Sequence, residues 1–374
     1  MMTCSQPTCN SIHEMDTPLL LRDDAFSLVS DKGYWRRAWK VDLIKAEANG
    51  DLSEERNDGA AVMDKYAVMK SLKYIHDPNK EVFELSRVDA ISLDILTHSK
   101  FTINIYGFCG SSSLQEYAGG DLKRLLPTLD PLHKLRMAAW LAHGLADIHA
   151  VDSLGGGSSS DENAAATQSN DTAAIDGGAN GTYIMPMTPS LIHNDINMDN
   201  VLLGYRQGIK MPIINDFNIA VFRKKDAKTG EPCHFHGRFF NPQWMSPEQQ
   251  EGGDELSTGY LNEKIDVYAF GNILYKIAVG QTPWKYNYKA ARKITEEIKA
   301  KITRAKLKGA KPKVPPNVRN STNPSMQAIL IAMDRCYRND AKVRPSAREL
   351  ARYLKTKLDV AEETIKVIER FELD

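Results

Sequence analysis

Two stretches of this chain concentrate side chains that could do chemistry. The first is Leu191-Ile-His-Asn-Asp-Ile-Asn-Met-Asp-Asn-Val-Leu-Leu203, and eleven residues further on comes Ile214-Asn-Asp-Phe-Asn-Ile-Ala220. Both set carboxylates and carboxamides between apolar residues, and such groups can accept a proton or hold a hard cation through oxygen. Considered singly, Asp195, Asn200 and Asp216 default to turn or cap roles. Lys70, at the end of a strand-like run, defaults to a solvated edge charge, with Lys73 as a rival close by. A third cluster, Cys233-His234-Phe235-His236, invites a metal reading. Its spacing is tight and no second ligand pair lies near, so it reads as an ordinary loop.

The elements that must position these groups come from an ordinary globular composition. The 374 residues carry 48 basic and 48 acidic side chains, with 42% hydrophobic and 26% charged residues. Zero net charge argues against a general nucleic-acid or acidic-membrane binder, since counterion release needs a basic surface. The longest nearly apolar run, Val267 to Gly280, contains Lys276 and is too short for a bilayer. Cys4, Cys9, Cys109, Cys233 and Cys336 are odd in number and scattered, which predicts no disulfide framework and a reducing compartment. The start, Met1 to Asp16, lacks a signal pattern, so the expectation is a soluble, cytoplasmic protein.

Short strands are expected at Ala25–Ser30 and Tyr34–Ile44, around a turn at Asp31-Lys32-Gly33, and at Lys65–Leu72. A helix after Pro78, running to Thr97, follows from the spacing of Val82, Leu85, Val88, Ile91 and Ile95. Strands at Phe101–Phe108 and Ser112–Tyr117 come next, and from Asp121 onward helices dominate: 131–151, with Leu135, Ala138, Ala142, Leu145 and Ile148 on one face, then near 264–279, 288–308, 325–337 and 346–371. Residues 45–62 are polar and acidic and read as a surface insertion, and 152–182 are too polar to offset their ordering entropy and read as a disordered insertion. A strand-rich first third before a helical remainder indicates an α+β protein of two unequal lobes.

At this point the two opening stretches resemble the protein kinase family. The first is similar to its catalytic loop, H-R-D-x-x-x-x-N, and the second to its D-F-G metal motif. Trp244-Met-Ser-Pro-Glu248 resembles A-P-E, Asp266-Val-Tyr-Ala-Phe-Gly271 the helix anchoring the lower lobe, and Arg344-Pro-Ser346 the final arginine motif. Upstream, Ala67-Val-Met-Lys70 resembles V-A-I-K and Gln115-Glu-Tyr117 the hinge, so the resemblance spans about 25–353. It implies a bilobal fold: a flexible segment 1–24, a small N-lobe 25–117, a larger C-lobe 118–353 and a C-terminal helix 354–374.

The resemblance also implies roles. Asp195 would accept the substrate hydroxyl's hydrogen bond and its proton; Asn200 and Asp216 would hold Mg²⁺; Lys70 would pair with the α- and β-phosphates of ATP. Asp89 stands where the family has its helix glutamate, one methylene short, so its pair with Lys70 should be looser; Glu84 is the other candidate. Gly33, Val68, Glu116 and Tyr117 would line the nucleotide site, with Gln115 as gatekeeper. Glu248 and Arg344 would form a buried structural pair, Asp266 would orient the catalytic loop, and His193 and Phe217 would pack. The expected partners are ATP and a protein substrate, with no nucleic acid or membrane.

Several positions depart from the family pattern. The Gly-rich loop appears as Ser30-Asp-Lys-Gly-Tyr-Trp35, leaving only Gly33, which should weaken or reshape ATP binding. Asn194 replaces the arginine that pairs with an activation-loop phosphate, so switching by such a phosphate is not expected. Between Asp216 and Glu248 the only hydroxyl residues are Thr229 and Ser246. Asn197 replaces a lysine that neutralises the transferring phosphoryl group, and Asn241 a threonine that bonds the catalytic aspartate; the two asparagines could bond each other, at lower rate. Asn218 replaces the glycine of D-F-G, a tolerable change for a left-handed backbone. The expected activity is protein kinase, serine/threonine by the family's majority and open to tyrosine. A pseudokinase scaffold is the alternative, and a small-molecule kinase with an H-N-D-L-x-x-x-N loop the second. The C-terminal helix, with Leu354, Leu358, Val360, Ile365, Val367 and Ile368, should pack on the lower lobe.

Overall fold

A computed structural model describes residues 25–31, 33–43, 65–150, 190–230, 232, 233, 235, 241–250, 261–289, 291 and 293–373. The segment 1–24, the insertions 45–62 and 152–182, and His234 and His236 of the Cys-His cluster lie outside the described residues. Five strands form one antiparallel sheet: β1 (Phe26–Ser30), β2 (Arg36–Asp42), β3 (Tyr66–Leu72), β4 (Ile105–Cys109) and β5 (Ser112–Glu116), in the order β1-β2-β3-β5-β4. Register follows from the period of two. Ala67, Val41 and Leu114 turn to one face and close a small core with Ala25, which leaves Val68 and Lys70 on the other. Helix α1 (Lys80–Ile95) is capped by Asn79, whose Oδ1 accepts from the Val82 amide at 3.0 Å, and it buries Val82, Leu85, Asp89 and Leu93.

Below the sheet, α2 (Leu122–Leu125) leads to α3 (Pro131–His149), which opens on an Asp130 cap with Pro131 in the first turn. The predicted apolar face of α3 is buried throughout. It shares one core with α4 (Lys264–Val279), α7 (Pro324–Cys336) and α8 (Ala347–Leu373); α5 (Glu296–Leu307) and α6 (Pro316–Arg319) lie between them in sequence. Gly144 lets α3 approach the loop before β4, since a Cβ there would lie 2.8 Å from the Phe101 Cβ.

The structure corrects the sequence expectation in several places. The stretch after Asp121 is not helical alone: β6 (Gly120–Asp121) joins β8 (Val201–Arg206) and β9 (Ile209–Ile214), while β7 (Leu191–Ile192) pairs with β10 (Val221–Phe222). Residues 101–104 precede β4 rather than belong to it, and Thr102 bridges to Ile214 instead. Helix α8 runs unbroken across residue 354. Leu354 and Leu358 are buried, but Val360, Ile365 and Val367 are exposed, so apolar packing fades beyond Leu358; the Ile368 side chain lies outside the described residues. Cys109 is disulfide-bonded, contrary to the cysteine count, whereas Cys233 and Cys336 are free thiols. Among the described residues no helix is long and apolar enough to cross a membrane.

Candidate active site

On the Lys70 face of the sheet, two cations meet two carboxylates. Lys70 Nζ lies 3.7 Å from Asp89 and 3.9 Å from Asp216, and it donates to the Asn215 side-chain oxygen at 3.2 Å. The closer partner of Asp89 is Arg36, which donates through Nη2 to Asp89 at 2.8 Å and to Asp216 at 3.3 Å. Fully buried, Asp89 also accepts from Gln115 at 3.2 Å and from the Phe217 amide at 2.8 Å. Burial pushes its carboxyl up, but Arg36 and then Lys70 outweigh that and hold it at about 2. The looser Lys70–Asp89 pair was expected; the arginine that tightens the site was not. Glu84 is exposed and bonds Arg87, and Lys73 bonds Asp31, so neither rival enters the site.

His193 and Asn194 are held from beneath by Asp266 of α4. Its carboxylate accepts from the backbone amides of His193 at 2.7 Å and Asn194 at 2.9 Å, and His149 adds a contact at 3.1 Å. Asn194 and Asp216 take the left-handed backbone, φ 65° and 68°, while Asn218 does not, so the strained position of the second stretch is its aspartate. Asp195 accepts from Asn197 through Oδ1 and from Asn200 through Oδ2, both at 2.9 Å. Burial dominates over those two bonds and raises its carboxyl to about 7. Asn197 is thus a ligand of Asp195, and the expected bond between Asn197 and Asn241 is replaced by an Asn241 side-chain oxygen accepting from the Gln243 amide at 3.3 Å. His193 and Phe217 pack ring against ring, centroids 4.5 Å apart, as expected.

Beyond the loop, a platform is tied down by two buried cations. Arg344 makes a two-pronged bond to Glu248, 2.6 and 3.1 Å, and also donates to the Lys264 carbonyl at 2.7 Å. Lys306 of α5 is fully buried and donates to the carbonyls of Pro242, Gln243 and Met245 at 2.7, 3.1 and 2.7 Å. Burial lowers its pKa well below the ordinary lysine value, and the negative charge of Glu248 opposes that. Ser246 is fully buried with its hydroxyl on Gln249, whereas Thr229 is exposed in a turn closed by Asp226.

The remaining predicted positions are split. Val68 shares the Lys70 face and pairs with Gln115, at the roof position. Gln115 lies in β5 with its amide turned inward to Asp89 and Ser113. The Glu116 carboxylate is committed to Arg206 and to the Asn104 amide. Tyr117 meets Tyr66 edge to face at 5.7 Å, beneath Lys40. Gly33 serves the β1–β2 turn, since a Cβ there would lie 2.8 Å from the Arg36 carbonyl oxygen. The missed residue is Arg36. Its signal is the period of two: Ala38 lies opposite Lys70, and Arg36 is two residues earlier on the same face.

A five-stranded sheet with one inward helix over a helical lobe is an α+β arrangement, and the motifs it carries are similar, in the same order, to those of eukaryotic-type protein kinases. Residues 183–354 match the protein kinase domain family. Over 167 residues the chain is 29% identical to the dual specificity protein kinase pyk3 of Dictyostelium discoideum, covering 44% of this chain and 10% of that protein. It is 31% identical over 120 residues to the serine/threonine-protein kinase pkpA of Phycomyces blakesleeanus, covering 31% and 17%. To the serine/threonine-protein kinase CTR1 of Arabidopsis thaliana it is 28% identical over 164 residues, covering 44% and 16%. The matched stretches are thus a small part of each of these curated relatives.

Proposed function

We propose that this chain transfers the γ-phosphate of ATP to a protein hydroxyl, serine or threonine by the family's majority. The observation that supports it best is the convergence of Lys70, Asp89 and Asp216 on one side with Asp195 and its two asparagine ligands on the other. Lys70 binds the α- and β-phosphates. The residues present suit Mg²⁺ by donor chemistry: the Asn200 amide nitrogen is turned to Asp195, leaving its oxygen as the outward end, and both cations on Asp216 engage only Oδ1. When bound there, the cation neutralises charge on the phosphates. Asp195, raised to about 7, is poised to take a proton from a hydroxyl near neutral pH. Asn197 orients that carboxylate but brings no charge, so transfer should be slow.

The lobes are assigned as 25–117 and 118–353, and the Glu248–Arg344 platform supports a peptide rather than a small-molecule acceptor. Incubation with Mg²⁺, γ-labelled ATP and a generic protein substrate tests the proposal, with Asp195→Asn as control. Label that vanishes in the variant supports it; no label on a folded protein removes it. A second reading, a pseudokinase that binds nucleotide without efficient transfer, is favoured by the Arg36 bond to Asp216, because a carboxylate already paired holds a metal less well.

A further inference from the structure

Arg36 is a charge that the kinase motifs do not require. It opens β2, its side chain is 9% exposed, and one nitrogen, Nη2, bridges Asp89 and Asp216. Its other terminal nitrogen, Nη1, is buried with no hydrogen-bond partner among the described residues. A buried guanidinium N–H left unpaired is costly, and the fork geometry of arginine suits a phosphate. The guanidinium is therefore one hydrogen bond short on the same side chain whose Nη2 meets Asp89 and Asp216, a deficit that an anion would fill.

The loop before it makes the same request. A nucleotide's phosphates are usually cradled by backbone amides that glycines expose, and here the one glycine, Gly33, is committed to a close turn against Arg36's own carbonyl. What this strand presents downward is a side chain instead. A fixed cation beside the carboxylate that would hold a metal can take over part of the metal's task, which is to neutralise phosphate oxygens.

We propose that Arg36 binds the phosphates of the nucleotide through Nη1 and that its fixed charge lets this protein bind ATP without a divalent cation. This rests on the nucleotide site proposed above. The test is ATP binding to the full chain by calorimetry and by ligand-induced thermal shift, in excess Mg²⁺ and in EDTA. The wild-type protein should lose less than about tenfold in affinity on removal of Mg²⁺, because one charge-assisted bond of this kind is worth about tenfold or more. In EDTA, Arg36→Ala should weaken binding by about tenfold or more, and Arg36→Lys should recover part of the loss. Wild-type binding abolished by EDTA but present with Mg²⁺ would overturn the role of Arg36 and leave the nucleotide site standing, a result that needs no variant to fold. Tighter ATP binding by Arg36→Ala in EDTA would also overturn it, making the side chain a plug. No ATP binding in either condition would remove both proposals.

Discussion

Raising the pH from 5 to 8 should weaken this protein through Asp195. Burial moves that carboxyl from 3.8 to about 7 against the pull of Asn197 and Asn200. Between those two values the folded state keeps a proton that the unfolded chain has lost. The stabilisation is therefore complete below about 3.8, falls as pH rises and is gone once pH passes about 7. A change of that size corresponds to at most about 4 kcal/mol. The side chain is only partly closed to water, which reduces the expectation to about 1–2 kcal/mol. Urea unfolding of wild type and Asp195→Asn at pH 5 and pH 8 isolates it from the other carboxylates. The variant should unfold at higher urea than wild type at pH 8, and the gap should close at pH 5. Parallel curves at both pH values, or a variant weaker at pH 8, would show that Asp195 is not held in a desolvated site. Phosphoryl transfer, if it proceeds through this base, should rise with pH and level off above about 7.

Arg344→Met leaves Glu248 and several carbonyls without their partner, and should cost about 3–5 kcal/mol in urea unfolding. Lys306→Met strips three carbonyls of one donor and should cost about 2–3 kcal/mol, with faster amide exchange confined first to 242–245. Asn197→Lys restores a cation beside Asp195; the expected outcome is at least about tenfold faster label transfer and a rate profile displaced to lower pH. Gly271→Ala would put a Cβ 2.8 Å from Cys336 and 3.2 Å from the Tyr337 ring, and should lower stability by about 1–3 kcal/mol in the same unfolding assay.

What could be read from the sequence was whatever is local. Lys70, Asp195, Asn200 and Asp216 were found because each sits in a short motif with fixed neighbours, and the apolar face of α3 because 3.6-residue spacing survives without tertiary context. Arg36 was lost because which face it takes depends on strand register: Arg36 and Arg37 are adjacent, and only pairing with β3 decides which one turns inward. Asn197 was given the wrong partner for a similar reason, since Asp195 competes for its amide from two residues away. The two-residue strands β7 and β10 are too brief for any period to register, and β9 lacks alternation because Met211 to Ile214 are buried in a row. The exposed half of α8 was misjudged because the helix outruns what it packs on: Arg136 near the start of α3 still reaches Glu362, and the apolar residues beyond have no α3 beside them.

The Glu116–Arg206 pair gives the molecule a pivot. Glu116 ends the last strand of the upper sheet, Arg206 ends β8 of the lower lobe, and the same arginine also grips the Thr102 carbonyl at 3.1 Å. Any rotation of the sheet against β8 about that pin would move β5 least and the far side of the sheet, β1 and β2, most. Arg36 rides on that outer edge, and the Asp216 it touches belongs to the other lobe. Its 3.3 Å bond to Asp216 would therefore be among the first polar links to part under such a rotation.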